Sequence, residues 1–255
     1  MIRGLGVILR RDIYTFFTNY TSIAFRNLQI VFLILIFAGV LSSVAPRTST
    51  FGLSYQQYFA LGAMVVSVGS TSLLIGREIY RDKESGFMDY LLSLPISRWN
   101  IIMGRTLGGA IRSILNASLA FIIAAILNPS HVSSIATGLG LLFVLAIGMT
   151  GLGILIASTI VKQTRWRVVI ALVEVILIRT STTYYPRTAM PFWLKPTTSA
   201  NPLTQSADVV ISIVSGGQTA DIVLNVVNVL VFSIVASLLG IWLYARIIEG
   251  KMFEL

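Results

Sequence analysis

The sequence predicts an all-α polytopic membrane protein with six transmembrane helices, and three observations predict it. Of the 255 residues, 55% are hydrophobic and only 11% charged, whereas a soluble domain carries about 25% charged residues. Apolar runs recur along the chain, most of them long enough to cross a hydrocarbon core of roughly 30 Å at about 1.5 Å per residue. The charges gather between those runs. The formal charge of +9 therefore reads as basic residues collected at cytoplasmic loops, not as a nucleic-acid surface. With no cysteine, a disulfide framework, a thiol nucleophile and a Cys-ligated metal are excluded.

Residues 1–22 read as an amphipathic interfacial helix. Leu5, Ile8, Leu9, Ile13, Phe16, Phe17 and Tyr20 recur at helical spacing, and Arg10, Arg11, Asp12, Thr15, Thr18 and Asn19 fill the polar surface. The alternative is a plain extension of the first span. That span, 24–44, begins too late and after too many polar residues for a cleaved signal peptide. Pro46 marks a short outer loop before the second span, 57–76.

The one long charged segment follows, Arg77 to Thr106. Arg77, Arg81, Lys83, Arg98 and Arg105 nearly balance Glu78, Asp82, Glu84 and Asp89. Mixed charge around Phe87, Met88, Tyr90, Leu91 and Leu92 suits a protein docking surface, where a lipid-facing loop would be mostly basic. An ordinary solvated loop is the competing reading. Gly86 and Pro95 break the stretch, predicting a short helix from about Phe87 to Leu94. Ser97 then caps a helix leading into the third span, 106–127, which carries Gly104 and Gly108 at GxxxG spacing.

Asn128 to His131 form an outer turn, where a lone histidine reads as surface. The fourth span, 135–160, is glycine-rich, which close helix packing explains. Lys162, Arg165 and Arg167 form a basic turn. The fifth span, 168–182, contains Glu174 and then Arg179. Residues 183–221 are polar-aromatic with four prolines, and Tyr184, Tyr185, Phe192 and Trp193 suit an interface belt. Asn201 caps a short helix with Pro202 at its first position. The sixth span is 222–245. With six spans, 15 of the 19 Lys and Arg fall on the side that holds both termini, so the positive-inside rule places both termini and the 77–106 stretch in the cytoplasm.

There is no GxxxxGK phosphate loop, no HExxH and no GxSxG elbow, so ATP binding of that type and two common hydrolytic chemistries are absent. Of the ten acids, only Glu174 lies inside a span, where a carboxylate must be paired, hydrated or protonated. Arg179 lies about 140° around the helix from it, so Arg112 of the third span is the expected partner. A substrate-path role for Glu174 is the alternative. An ion-coupled carrier would show several intramembrane ionisable groups and repeat symmetry. Such a carrier, or a structural membrane protein, is the rival functional class.

Two motifs and the layout carry a resemblance. Arg77-Glu78, then Glu84-Ser85-Gly86-Phe87-Met88-Asp89-Tyr90-Leu91-Leu92 and Leu94-Pro95-Ile96-Ser97-Arg98, are similar to the RE-x-GTLE-LL-PISR segment of the membrane subunits of ABC-2 type ABC exporters. Asn201-Pro202-Leu203-Thr204 through Asp208 resembles that family's NPLTYAVDALR. The chain departs at Phe87-Met88 for Thr-Leu, at Asp89 for Glu and at Ile211 for a common arginine. The resemblance implies a permease dimer, homo- or heteromeric, in a prokaryotic cell membrane. It also implies a separate cytoplasmic ATPase that holds the ATP, so this chain binds no cofactor itself. The coupling residues it implies are Glu84, Gly86, Phe87, Asp89, Tyr90, Leu91, Leu92 and Pro95. It further implies an outer re-entrant segment containing Asn201, Pro202 and Asp208.

Overall fold

The long apolar runs fold as long helices because a backbone in hydrocarbon must satisfy its own hydrogen bonds. The structure, a computed structural model, describes residues 2–18, 20–44, 52–87, 90, 93, 98–160, 163–217 and 219–248. Helix α1 is Ile2–Thr18. Helix α2, Tyr20–Phe32, passes through a π-helical turn, Leu33–Phe37, into α3, Ala38–Val44. Then come α4, Tyr55–Leu73, and α5, Ile75–Glu84, separated only by Leu74. The long α6, Arg98–Leu127, and α7, Val132–Thr159, flank a 3-10 turn at Pro129–His131. After α8, Gln163–Arg179, the chain makes 3-10 turns at Arg187–Ala189 and Phe192–Leu194, then α9, Lys195–Ala200, α10, Pro202–Ser215, and α11, Thr219–Ile248.

Five stretches among the described residues are long and apolar enough to cross a bilayer: Ile23–Ser43, Tyr55–Asp82, Trp99–Leu127, Pro129–Thr159 and Asp221–Arg246. They correspond to the first, second, third, fourth and sixth expected spans. The expected fifth span, 168–182, corresponds to α8, which is only 17 residues long and carries Arg165, Arg167, Glu174 and Arg179. It is not one of the five. The second span also departs from expectation, because the helix does not stop at 76. It continues through the charged residues to Glu84.

Helix α4 is the hub, buried almost throughout from Tyr58 to Leu73 and packed on α3, α6, α7 and α10. Ser54 and Gln57 cap it reciprocally, the Gln57 amide N–H donating to Ser54 Oγ (3.2 Å) and the Ser54 N–H to Gln57 Oε1 (2.8 Å). Gln57 Nε2 also donates to the Leu127 carbonyl (2.9 Å), fastening this cap to the end of α6. Helix α7 meets α11 through small residues. A Cβ on Gly148 would lie 2.6 Å from Ser233 Cα, and Ser233 and Ser237 Oγ donate to the Val144 and Ile147 carbonyls (2.9 and 3.2 Å). The glycine-rich span is thus used for close packing at Gly148, Gly151 and Gly153, whereas Gly140 meets open space.

The segment before α11 folds as the local chemistry requires. Asn201 caps α10, its Oδ1 accepting from the Leu203 N–H (2.9 Å), with Pro202 in the first turn. Its Nδ2 donates to the Leu177 carbonyl (2.6 Å) and Thr180 Oγ1 (3.0 Å), tying α10 to the end of α8. Thr182 Oγ1 donates to Asp208 Oδ1 (2.7 Å), and Arg187 pairs with Asp208 at 3.0 Å. Ile211, the departure from the family pattern, is buried in the core. Phe192 and Trp193 are exposed, as a belt requires, but Tyr184 stacks on Phe59 with ring centroids 4.7 Å apart.

At Gly151 a Cβ would lie 2.5 Å from Ser237 Cα. Gly151→Val is expected to lower the unfolding temperature of the detergent-purified protein, through an overpacking cost of about 1–3 kcal/mol. Gly140→Ala, in open space, is expected to leave it unchanged or slightly raised.

Candidate functional site

Arg105 and Arg112 stand seven residues apart on α6, two turns along one face, a rise of about 10 Å. Both are only 2% exposed. A guanidinium out of water needs carboxylates, and two other helices supply them. Glu78 and Asp82 lie four residues apart on one face of α5, and Asp12 comes from α1. Arg112 binds Glu78 in bidentate fashion, Nη1 to Oε1 and Nη2 to Oε2, both at 2.8 Å. Arg105 donates to Asp82 Oδ2 and, at 3.3 Å, to Asp12 Oδ1. Asp12 Oδ2 lies 3.9 Å from Arg112. Arg11 completes the set, 3.6 Å from Asp82. Three arginines and three acids balance.

Helix α1 reaches these partners because the facing side of α6 is glycine. A Cβ at Gly104 would stand 2.8 Å from Ile8, and one at Gly108 would stand 2.9 Å from Asp12. The GxxxG pair therefore seats the amino-terminal helix. This corrects the reading of Asp12 as part of a solvated polar face: α1 turns it inward against α6. Burial pushes the Asp12 carboxyl up from its ordinary value, against the pull of Arg105 and Arg112.

The network continues into the segment expected to couple to an ATPase. Glu84 ends α5, and Gly86 has φ +70°, the left-handed conformation that favours glycine and turns the chain. Phe87, half-buried, lies against Arg11, whose guanidinium carbon is 4.0 Å from the ring centroid. Tyr90 is exposed, packs its ring 5.7 Å from Phe87, and donates its backbone N–H to the Gly86 carbonyl (3.4 Å). Asp89, Leu91, Leu92 and Pro95 lie outside the described residues. Two expectations change. Glu78 and Asp82, read as docking-surface charges, point inward to α6. Arg112 does not pair with Glu174, because Glu78 and Asp12 already hold it. Glu174 acts electrostatically on Arg26 of α2 instead.

Sequence reasoning missed Arg11, Asp12, Glu78, Asp82 and Arg105 as one cluster. The seven-residue spacing of the arginines and the four-residue spacing of the acids were the available signals.

Arg105→Gln is expected to strand Asp12 and Asp82 and to cost about 3–5 kcal/mol. Adding Asp12→Asn is expected to cost less than the sum of the two single changes, measured by thermal unfolding in detergent. Arg112→Leu and Glu174→Gln, by contrast, are expected to add within about 0.5 kcal/mol, since they are not partners. Strong coupling between those two would restore the pairing that this geometry replaces.

Comparison with known proteins agrees with this architecture. The profile of the ABC-2 type transporter family matches residues 3–215, which includes α1, the charge network and α10. A protein of Cyanophora paradoxa named as a transport permease, ycf38, is 26% identical over 229 residues, covering 85% of this chain and 79% of that protein. The ycf38 protein of Porphyra purpurea is 26% identical over 178 residues, covering 69% and 61%. A protein of Escherichia coli K12 named as a multidrug ABC transporter permease, YbhR, is 25% identical over 167 residues, covering 65% of this chain and 45% of that protein. With its amino-terminal helix seated on the membrane bundle and the family profile running from that helix to α10, the chain belongs to the ABC-2 type transporter family.

Proposed function

We propose that this chain is the permease subunit of an ATP-driven exporter, a transport subunit without an ATPase site of its own. A separate cytoplasmic ABC ATPase binds the ATP. In a prokaryotic cell membrane the chain has both termini cytoplasmic, and α8 serves as a short sixth spanning segment. Helices α9 and α10 form the outer re-entrant segment, and a second permease copy or homologous chain completes the substrate path. Orientation rests on the bias of basic residues toward the α1 end.

The observation that carries the reading is the continuity from Phe87 through Arg11 to the charge network. A force applied at Phe87 and Tyr90 meets α1 first, and through Asp12 and Asp82 it meets Arg105 inside α6. Docking on an aromatic anchor at the Gly86 turn thus has a mechanical route into two helices. The buried charges cluster at one end and neutralise one another, unlike the midplane ion sites of a coupled carrier.

Copurification with the ATPase subunit tests this. Phe87→Ala together with Tyr90→Ala is expected to weaken that association by about 30-fold, the equivalent of about 2 kcal/mol for an aromatic anchor, with membrane insertion intact. Wild-type binding and ATPase stimulation by this variant would remove the coupling role. Arg11→Gln is expected to preserve ATPase binding while lowering transport per ATP hydrolysed, because it cuts the link behind the docking surface.

A further inference from the structure

Asp208 is the one charged residue of α10, and its two carboxylate oxygens have separate partners. Oδ1 accepts from Thr182 Oγ1 (2.7 Å), three residues beyond α8, and Oδ2 pairs with Arg187 Nη2 (3.0 Å). The Asp208 side chain is 22% exposed, whereas that of Arg187 is 44% exposed. A mostly buried acid is thus held to an arginine that water reaches.

Arg187 opens the 3-10 turn Arg187–Ala189, and its Nη1 also reaches Ser199 Oγ of α9 (3.5 Å). The ion pair ties this turn to α10, and the exposed Phe192 and Trp193 follow a few residues on. Contacts that carry no titrating acid hold the flanks. Tyr184 stacks on Phe59 before the turn, and buried Met190 accepts from Thr198 Oγ1 (3.3 Å) after it.

Arg187 is the cation that acts on Asp208. Helices α4 and α7 carry no charged residue, and α9 carries only Lys195. Tyr58 of α4 donates its hydroxyl to the Thr182 carbonyl and senses the Asp208 charge. Arg179, at the end of α8, acts on Tyr184. From α11 comes a like charge, Asp221. Burial pushes the Asp208 carboxyl up from its ordinary value, against the Thr182 hydrogen bond and the Arg187 charge, and Asp221 adds to the rise.

We propose that Asp208 and Arg187 form a proton-operated latch: the carboxylate holds the 187–194 stretch on α10, and a proton from solvent on Asp208 releases it. Protonated Asp208 keeps its contact with Thr182 but loses the charge that holds Arg187, which then turns to water. The folded carboxyl titrates above its unfolded value, so the folded chain binds the proton first as pH falls. Between those two values this group adds stability on acidification. Release is therefore a local opening and not acid unfolding. That the latch faces the outer side rests on the placement of α9 and α10 proposed above.

The chain has no cysteine, so Thr188→Cys gives a single spin-label position on the exposed turn. Electron paramagnetic resonance of the labelled full chain in detergent is read at pH values stepped down toward the ordinary carboxylate value of about 3.9. The ratio of mobile to held label is expected to rise by up to about tenfold per pH unit, as release driven by one proton requires. Asp208→Asn and Arg187→Gln, each added to Thr188→Cys, are expected to leave the label mobile at every pH. Thr182→Val strips a hydrogen bond from the carboxylate and is expected to move the midpoint to higher pH, a shift that a merely structural contact would not give. Thermal unfolding of each variant checks that the fold is kept, and Arg187, being exposed, keeps the test readable where a buried variant fails to fold. Label mobility that is independent of pH and unchanged by Arg187→Gln would overturn the latch. In right-side-out membrane vesicles, acid outside alone is expected to release the label. Release in detergent, but in vesicles only on acidifying the inside, would keep the latch and overturn the outer placement.

Discussion

Two guanidinium groups withdrawn from solvent set the arrangement of one whole end of this protein. Leaving either Arg105 or Arg112 unpaired would cost several kcal/mol, a large fraction of what a fold of this size has to spare. The acids that answer them sit on separate elements, so α1 and α5 are both drawn against α6. The requirement reaches into features that look unrelated in sequence. Gly104 and Gly108 must be small so that Asp12 can approach. The second span must stay helical past the apolar region so that Glu78 and Asp82 present on one face.

The same pairing gives the charged stretch after the second span two distinct parts. Up to Glu84 it is an extension of a membrane helix whose Glu78 and Asp82 are spent on α6. At Gly86 the chain turns, and among the described residues beyond it Phe87 is half-buried and Tyr90 exposed. Arg11 bridges the parts, bound to Asp82 on one side and lying on the Phe87 ring on the other. A cation–π contact and a salt bridge made by one side chain hold the turn against α1 without a large apolar interface.

What was legible in the sequence is what depends on local chemistry. Apolar runs of bilayer length announce themselves, and Asn201-Pro202 announces a capped helix whether or not its neighbours are known. The glycines of α7 foretold close packing but not its partner. What stayed hidden depends on which surfaces meet. Asp12 sits among Arg10, Arg11 and Thr15, a pattern that normally faces water, and only the docking of α1 on two glycines makes it a core residue. Glu174 invited a partner at similar depth, and Arg112 was reasonable by depth alone. Glu78 is closer, reaching Arg112 from α5 with both oxygens. The fifth expected span is the shortest and most charged: α8 has 17 residues, carries Arg165, Arg167, Glu174 and Arg179, and is not among the five stretches long and apolar enough to cross a bilayer.

The two ends of the bundle satisfy their charges differently. At the α10 end, Asp208 has both a threonine hydroxyl and an arginine within hydrogen-bond distance. At the α1 end, Nε of Arg105 and Arg112, one Nη of Arg11 and Oδ2 of Asp12 are buried without a hydrogen-bond partner. These are the charged atoms so placed among the described residues. Underbonded charge in a low-dielectric setting is a strong force held in place only by geometry. Arg105 and Arg112 each have more than one acid within 4 Å, so a small rotation of α1 exchanges partners instead of breaking them. A network neutral as a whole but loosely bonded in its parts resists separation of the three helices while tolerating movement between them. That is the mechanical character a joint between three helices requires.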